Sequence, residues 1–184
     1  MATVALISVA VLALLVAVLF GALLEMYRDV RQLREVVGIL DRPLTVDIGP
    51  VAGTKPSSYG LPWVLDSAAS AVVLFLSERC GTCRSLAAGL GRPLPAGLWV
   101  VLEARSPDSA DAFLDAHGLT NLASASDGRL LVDVAGDIAG RIGLDTTPVG
   151  FRVEAGVLIG ATTVPSSRYL NSILPEPVRL RRAG

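Results

Sequence analysis

Hydrophobic patterning divides the chain into three regimes. Across residues 2–24 no side chain is charged, and the first charge is Glu25. Such a run exceeds the roughly 20 apolar residues that cross a bilayer as a helix. Beyond it, Met26, Val30, Leu33, Val37 and Leu40 recur at alternating four- and three-residue intervals. That spacing continues the helix with a single apolar seam at a period of about 3.5 residues. Asp41-Arg42-Pro43 ends it, and the Gly, Pro and Ser content of 50–62 marks a linker leading into the third regime.

In that third regime short apolar runs alternate with amphipathic ones. Ala71-Val72-Val73-Leu74-Phe75-Leu76 and Leu98-Trp99-Val100-Val101-Leu102 read as buried strands. Between them a helix-compatible stretch starts at Arg84-Ser85-Leu86-Ala87-Ala88 and breaks near Gly89-Leu90-Gly91-Arg92-Pro93. Ser106-Pro107-Asp108-Ser109-Ala110-Asp111 opens a second helix, with a Ser cap, Pro at the first position and acids in the first turn. That helix should end at His117-Gly118. Residues 130–141 read as a further helix, weakened by Gly136 and Gly140. Val149-Gly150-Phe151-Arg152-Val153 and Val157-Leu158-Ile159-Gly160-Ala161 flank Glu154-Ala155-Gly156, a hairpin signal. A last helix covers 166–174, and the Pro- and Arg-rich 175–184 reads as a mobile tail. The organisation predicted is an anchor (1–24), a juxtamembrane helix (25–41), a linker (42–62), one α/β domain (63–174) and the tail.

Charge narrows the setting. The chain has 184 residues and a net charge of −1, and Lys55 is its sole lysine. With no basic patch, nucleic acid is excluded as a partner. A cleaved signal peptide would carry a basic start and a shorter apolar core. Here no Lys or Arg precedes Arg28, and no cysteine follows Leu19-Phe20-Gly21-Ala22 to take a lipid. The run is read as an uncleaved single-pass anchor in the cell membrane. Arg28, Arg31 and Arg34 follow the anchor, which by the positive-inside rule places the domain in the cytoplasm. Against that stands the chemistry below, which suits an extracytoplasmic site where disulfides form. The seam at 26–40 offers a weak self-association surface, although two heptads do not define a dimer.

Cys80-Gly81-Thr82-Cys83 holds both cysteines of the chain. The pair sits between a predicted strand and a predicted helix. The partial positive charge of a helix N-terminus favours thiolate, and a two-residue spacer lets the second sulfur close on the first. Zinc would need four protein ligands, or three and a water. The only histidine, His117, has no second ligand at helical spacing. The redox dithiol is the reading kept, and it requires no metal or organic cofactor.

With Phe75, the Cys80-Gly81-Thr82-Cys83 motif, Ser126-Asp127-Gly128, Thr147-Pro148 before a strand and the Glu154-Ala155-Gly156 hairpin, the chain resembles the thioredoxin superfamily. Within it the match is to membrane-anchored disulfide reductases of the TlpA-like and MauD-like branch, over residues 61–174. The resemblance implies a three-layer fold around a central mixed sheet, behind one transmembrane helix. It implies a cis Pro148 facing the dithiol, with Thr147 offering backbone hydrogen bonds to an extended substrate. It also implies thiol–disulfide exchange, in which Cys80 attacks as thiolate and Cys83 resolves the mixed disulfide. Arg79 and Arg84 flank the pair, and either guanidinium could favour thiolate. The implied partners are protein disulfides or dithiols, a membrane electron donor and the lipid bilayer.

Three departures stand out. Arg79 occupies the place of a frequent Trp, Leu74 that of a buried acid, and Thr82 that of a Pro. Glu103, at the end of the second strand, is either a substitute proton acceptor or a surface acid. The missing acid and Trp also fit a different class, a non-enzymatic membrane subunit with a passive disulfide. A peroxidase of the peroxiredoxin type fits less well, since it would need Thr-x-x-Cys rather than a cysteine pair.

Overall fold

The computed structural model describes residues 16, 18–21, 25, 27, 42–91, 93–123 and 128–175. They divide between two units, Met1–Arg42 and Pro43–Gly184. In the first, residues 16, 18–21, 25 and 27 are helical. The anchor and juxtamembrane helix expected over 1–41 otherwise lie outside the described residues, as do Ser126, Asp127 and the tail beyond Pro175. Among the described residues no helix is long and apolar enough to cross a membrane.

The second unit is built on one mixed sheet of β1 (Thr45–Val46), β2 (Ser70–Ser77), β3 (Leu98–Ala104), β4 (Leu130–Val134), β5 (Val149–Glu154) and β6 (Val157–Thr163). Spatially the order is β1-β6-β5-β2-β3-β4. Strands β2, β3 and β4 are parallel neighbours, while β5, β6 and β1 join antiparallel. The helices are α1 (Gly81–Ala88), α2 (Pro107–Ala116), α3 (Thr120–Ala123), α4 (Asp137–Ile142) and α5 (Ser167–Ile173). A central strand feeding a helix and a parallel neighbour, then an antiparallel hairpin and a last helix, is the thioredoxin-like arrangement.

Strand β2 is apolar on both faces because both faces are covered. Val72, Leu74 and Leu76 pack into one cluster with Leu86 of α1, Phe113 of α2 and Leu170 of α5. The alternate residues Ala71, Val73 and Phe75 pack with Val51, Leu65 and Ile142 on the other side. There Phe75 meets Phe151 edge-on, with ring centroids 5.3 Å apart. Three layers result.

Two stretches differ from the sequence reading. Residues 130–141 are not one helix: β4 takes 130–134, and α4 starts at Asp137. Ala135 (φ 61°) and Gly136 (φ 74°) turn the chain through left-handed geometry between them. Leu130, Leu131, Val132 and Val134 prefer the ladder beside β3, and Asp133 caps α4 by accepting from the Ile138 and Ala139 N–H groups at 3.0 Å. The segment 42–62 contains β1 and the short 3-10 turns Gly49–Val51 and Pro56–Tyr59, and a third turn, Trp63–Ser67, follows. It buries Val51 and Leu61 against the sheet. Proline and glycine serve tight 3-10 turns as well as linkers, so composition alone does not separate the two.

Apart from α3, which the sequence reading did not expect, the remaining elements form where expected. In α2, Ser106 and Ser109 exchange capping hydrogen bonds. Between β5 and β6, Ala155 (φ 49°) and Gly156 (φ 78°) make the two-residue turn whose twist matches its strands. A Cβ at Gly156 would collide with the Asp66 carbonyl.

Candidate active site

Strand β2 delivers the dithiol to the C-terminal edge of the sheet. Past Ser77 the ladder continues for one residue, with Glu78 N–H donating to the Glu103 carbonyl at 3.1 Å. Cys80 N–H then donates to the Ser77 carbonyl at 3.1 Å, which turns the chain into α1. Cys80 is the N-cap, in extended geometry, and its Sγ accepts the Cys83 N–H at 3.2 Å. Its sulfur thereby takes the place that a Ser or Asp oxygen commonly fills at a helix start. Thiolate at this position would face one of the helix's unpaired donors directly.

The two sulfurs differ in surroundings. Both are free thiols, Cys80 half-buried and Cys83 fully buried. Burial pushes the Cys83 thiol up to about 12, and the neighbouring Cys80 sulfur adds to the rise. Hydrogen bonds from the Ser77 backbone and the Thr147 side chain act in the opposite direction.

Thr147 and Pro148 reach the pair from the far end of the sequence. Phe75 is registered with Val149 across β2 and β5, so the residues before Val149 arrive beside the end of β2. The Thr147–Pro148 bond is cis, matching the expectation from the resemblance. The Val164 N–H holds the Pro148 carbonyl at 2.9 Å. Cys80 Sγ donates to the Thr147 carbonyl at 3.5 Å. Thr147 therefore touches Cys80 through its carbonyl, while its side chain acts to lower the Cys83 thiol.

One of the two flanking arginines has an acidic partner. Arg79 is paired with Glu103, Nη2 to Oε1 at 3.1 Å, so its charge is partly spent away from the thiol. Glu103 is thus the partner of Arg79 rather than an unattached acid. Arg84 is exposed on the first turn of α1, where its N–H donates to the Cys80 carbonyl at 3.2 Å. Leu74 is fully buried, and the buried polar side chains among the described residues are Ser77 and Asp133. Asp133 is committed to capping α4, so among the described residues no buried carboxylate serves Cys83. His117, at the end of α2, packs tilted against Phe113 with ring centroids 4.6 Å apart. Sequence reasoning missed a second ion pair, Arg105 Nε to Glu78 Oε1 at 2.8 Å, because its partners lie 27 residues apart, just past the ends of β3 and β2.

No known protein family matches the chain, and no curated protein matches it. Solved structures do. One is a secreted Mycobacterium tuberculosis disulfide oxidoreductase homologous to E. coli DsbE, at 17% identity over 53% of this chain and 70% of that one, TM-score 0.38. A thiol-disulfide isomerase from Corynebacterium glutamicum is similar at 16% identity over 74% and 98%, TM-score 0.42. The thioredoxin domain of a thiol-disulfide oxidoreductase from Bacteroides vulgatus is similar at 10% identity over 72% and 91%, TM-score 0.44.

Proposed function

We propose that the protein is a membrane-tethered thiol–disulfide oxidoreductase working through Cys80 and Cys83. The observation that carries this reading is the asymmetry of the pair: an accessible sulfur capping a helix, and a buried one three residues on whose proton is firmly held. Cys80 as thiolate attacks one sulfur of a substrate disulfide, forming a mixed disulfide and expelling the other substrate sulfur as thiolate. Cys83 then gives up its proton and attacks the Cys80 sulfur. The substrate leaves as two thiols, having gained two electrons, and the protein keeps a Cys80–Cys83 disulfide. The exchange is reversible, and the potential of the pair relative to its partners sets its direction. Thr147 and Pro148 bound the site, and the Thr147 backbone is the pairing edge for an extended polypeptide.

The uncharged run at 2–24 supports tethering to the cell membrane by one helix. The need for disulfide chemistry supports an extracytoplasmic domain acting on protein disulfides or dithiols, with a membrane-bound electron donor. The reading is tested by equilibrating the full-length protein in glutathione buffers of graded potential and counting thiols. A single two-electron transition, lost in Cys80→Ser and Cys83→Ser, is expected. A pair that neither oxidises nor reduces would indicate an interaction subunit instead.

A further inference from the structure

A cleft at the C-terminal edge of the sheet is lined by Glu78, Arg79, Glu103, Ala104, Arg105 and Ala135. Its floor is the C-terminal edge of β2, β3 and β4, and it is held together by backbone bonds. Glu78 N–H donates to the Glu103 carbonyl at 3.1 Å, and Ala135 N–H to the Ala104 carbonyl at 2.8 Å. One wall is Arg79, the residue directly before Cys80.

Two ion pairs line this cleft, and both are layered in the same sense. Arg79 and Arg105 have side-chain exposures of 66% and 74%, whereas their partners Glu103 and Glu78 have 24% and 9%. The carboxylates lie inside and the guanidinium groups face solvent. The Glu78 carboxyl is held below the usual carboxylate range by Ser109 and Arg105 together. Its negative charge is consumed within the wall. Each guanidinium has five N–H donors in a planar fork. Arg79 uses Nη2 and Arg105 uses Nε toward the glutamates, so further donors on both remain turned outward. Two guanidinium groups on a fixed rim suit carboxylate, which they can hold by paired N–H bonds.

We propose that this cleft is a substrate subsite for a carboxylate next to the scissile disulfide, gripped by Arg79 and Arg105. The inference rests on the oxidoreductase reading above and names the substrate class: disulfides flanked by an acidic group.

The test uses pre-reduced full-length protein in single turnover, with three small disulfides of similar size. Dithiodiglycolate is dianionic, bis(2-hydroxyethyl) disulfide neutral and cystamine dicationic. Each rate is divided by that of 2-mercaptoethanol with the same disulfide, which removes intrinsic reactivity. The wild type should favour the dianion over the neutral compound by about five-fold, the scale of an exposed ion pair. The dication should be disfavoured, and the preference should shrink at high salt. Arg105→Ala and Arg79→Ala should each move the dianion-to-neutral ratio toward one, and Arg105→Lys should largely keep it. Equal normalised rates for all three disulfides in the wild type would overturn the subsite, and so would a preference that survives both alanine variants. Failure to open even the neutral disulfide faster than 2-mercaptoethanol does would instead count against the oxidoreductase reading.

Discussion

Cys80 Sγ and the Thr147 carbonyl oxygen lie 3.5 Å apart although 67 residues separate them in sequence. The approach follows from the β2–β5 register, which sets the residues before Val149 beside the end of β2. The Thr147 side chain also acts to lower the Cys83 thiol, so one residue bears on both sulfurs that the proposed exchange must use in turn.

Thr147→Val should therefore slow the second step more than the first. The valine keeps the carbonyl and the side-chain shape but removes the hydrogen bond that holds the Cys83 thiol down. One such bond corresponds to about 1 kcal/mol, or roughly a five-fold slower resolution of the mixed disulfide. Rapid-quench separation of mixed and intramolecular disulfides would show it. An unchanged resolution rate would remove the Thr147 side chain from the mechanism.

The two thiols should differ sharply toward alkylation. At neutral pH, Cys80 of the reduced protein should react with iodoacetamide, while Cys83, fully buried and with its thiol near 12, should wait for unfolding. The same shift makes a prediction about stability. A folded-state value raised from 9.0 to about 12 means that the folded protein holds the proton longer. The associated stability is complete below pH 9 and is lost as pH rises through 12. Urea unfolding of the reduced protein should show a steeper loss across that window than Cys83→Ala does.

Two glycines should respond oppositely to alanine. Gly81 opens α1 with nothing near its absent Cβ, so Gly81→Ala should be neutral or stabilise by up to about 1 kcal/mol. Gly156 sits at φ 78° against the Asp66 backbone, and Gly156→Ala should cost more than about 1 kcal/mol. Thermal unfolding of the two variants side by side would measure both.

Adding protease to intact spheroplasts tests the membrane side. Digestion of the domain is expected from the extracytoplasmic proposal. Protection until permeabilisation would mean that Arg28, Arg31 and Arg34 give the true orientation.

Much of the dithiol corner was legible because its signals are local. A continuous apolar run makes β2, a cysteine pair follows it, and Ser106-Pro107 and Ala155-Gly156 punctuate the chain in recognised ways. The strand β4 was hidden because Leu130, Leu131, Val132 and Val134 fit either period over so few residues. Its fate depends on β3, which local pattern does not contain. Arg79–Glu103 and Arg105–Glu78 were hidden for a related reason. Charges at the ends of neighbouring parallel strands meet only after the register is set, and so Arg79 reads in sequence as a neighbour of Cys80 alone.

The central claim is that Cys80 attacks and Cys83 resolves, and trapping tests it most directly. Cells producing Cys83→Ser should show discrete higher bands on non-reducing gels of their membranes, abolished by reductant, because the mixed disulfide forms and cannot be released. Cys80→Ser should show none. Absence of bands from folded Cys83→Ser, or the same bands from Cys80→Ser, would contradict the account.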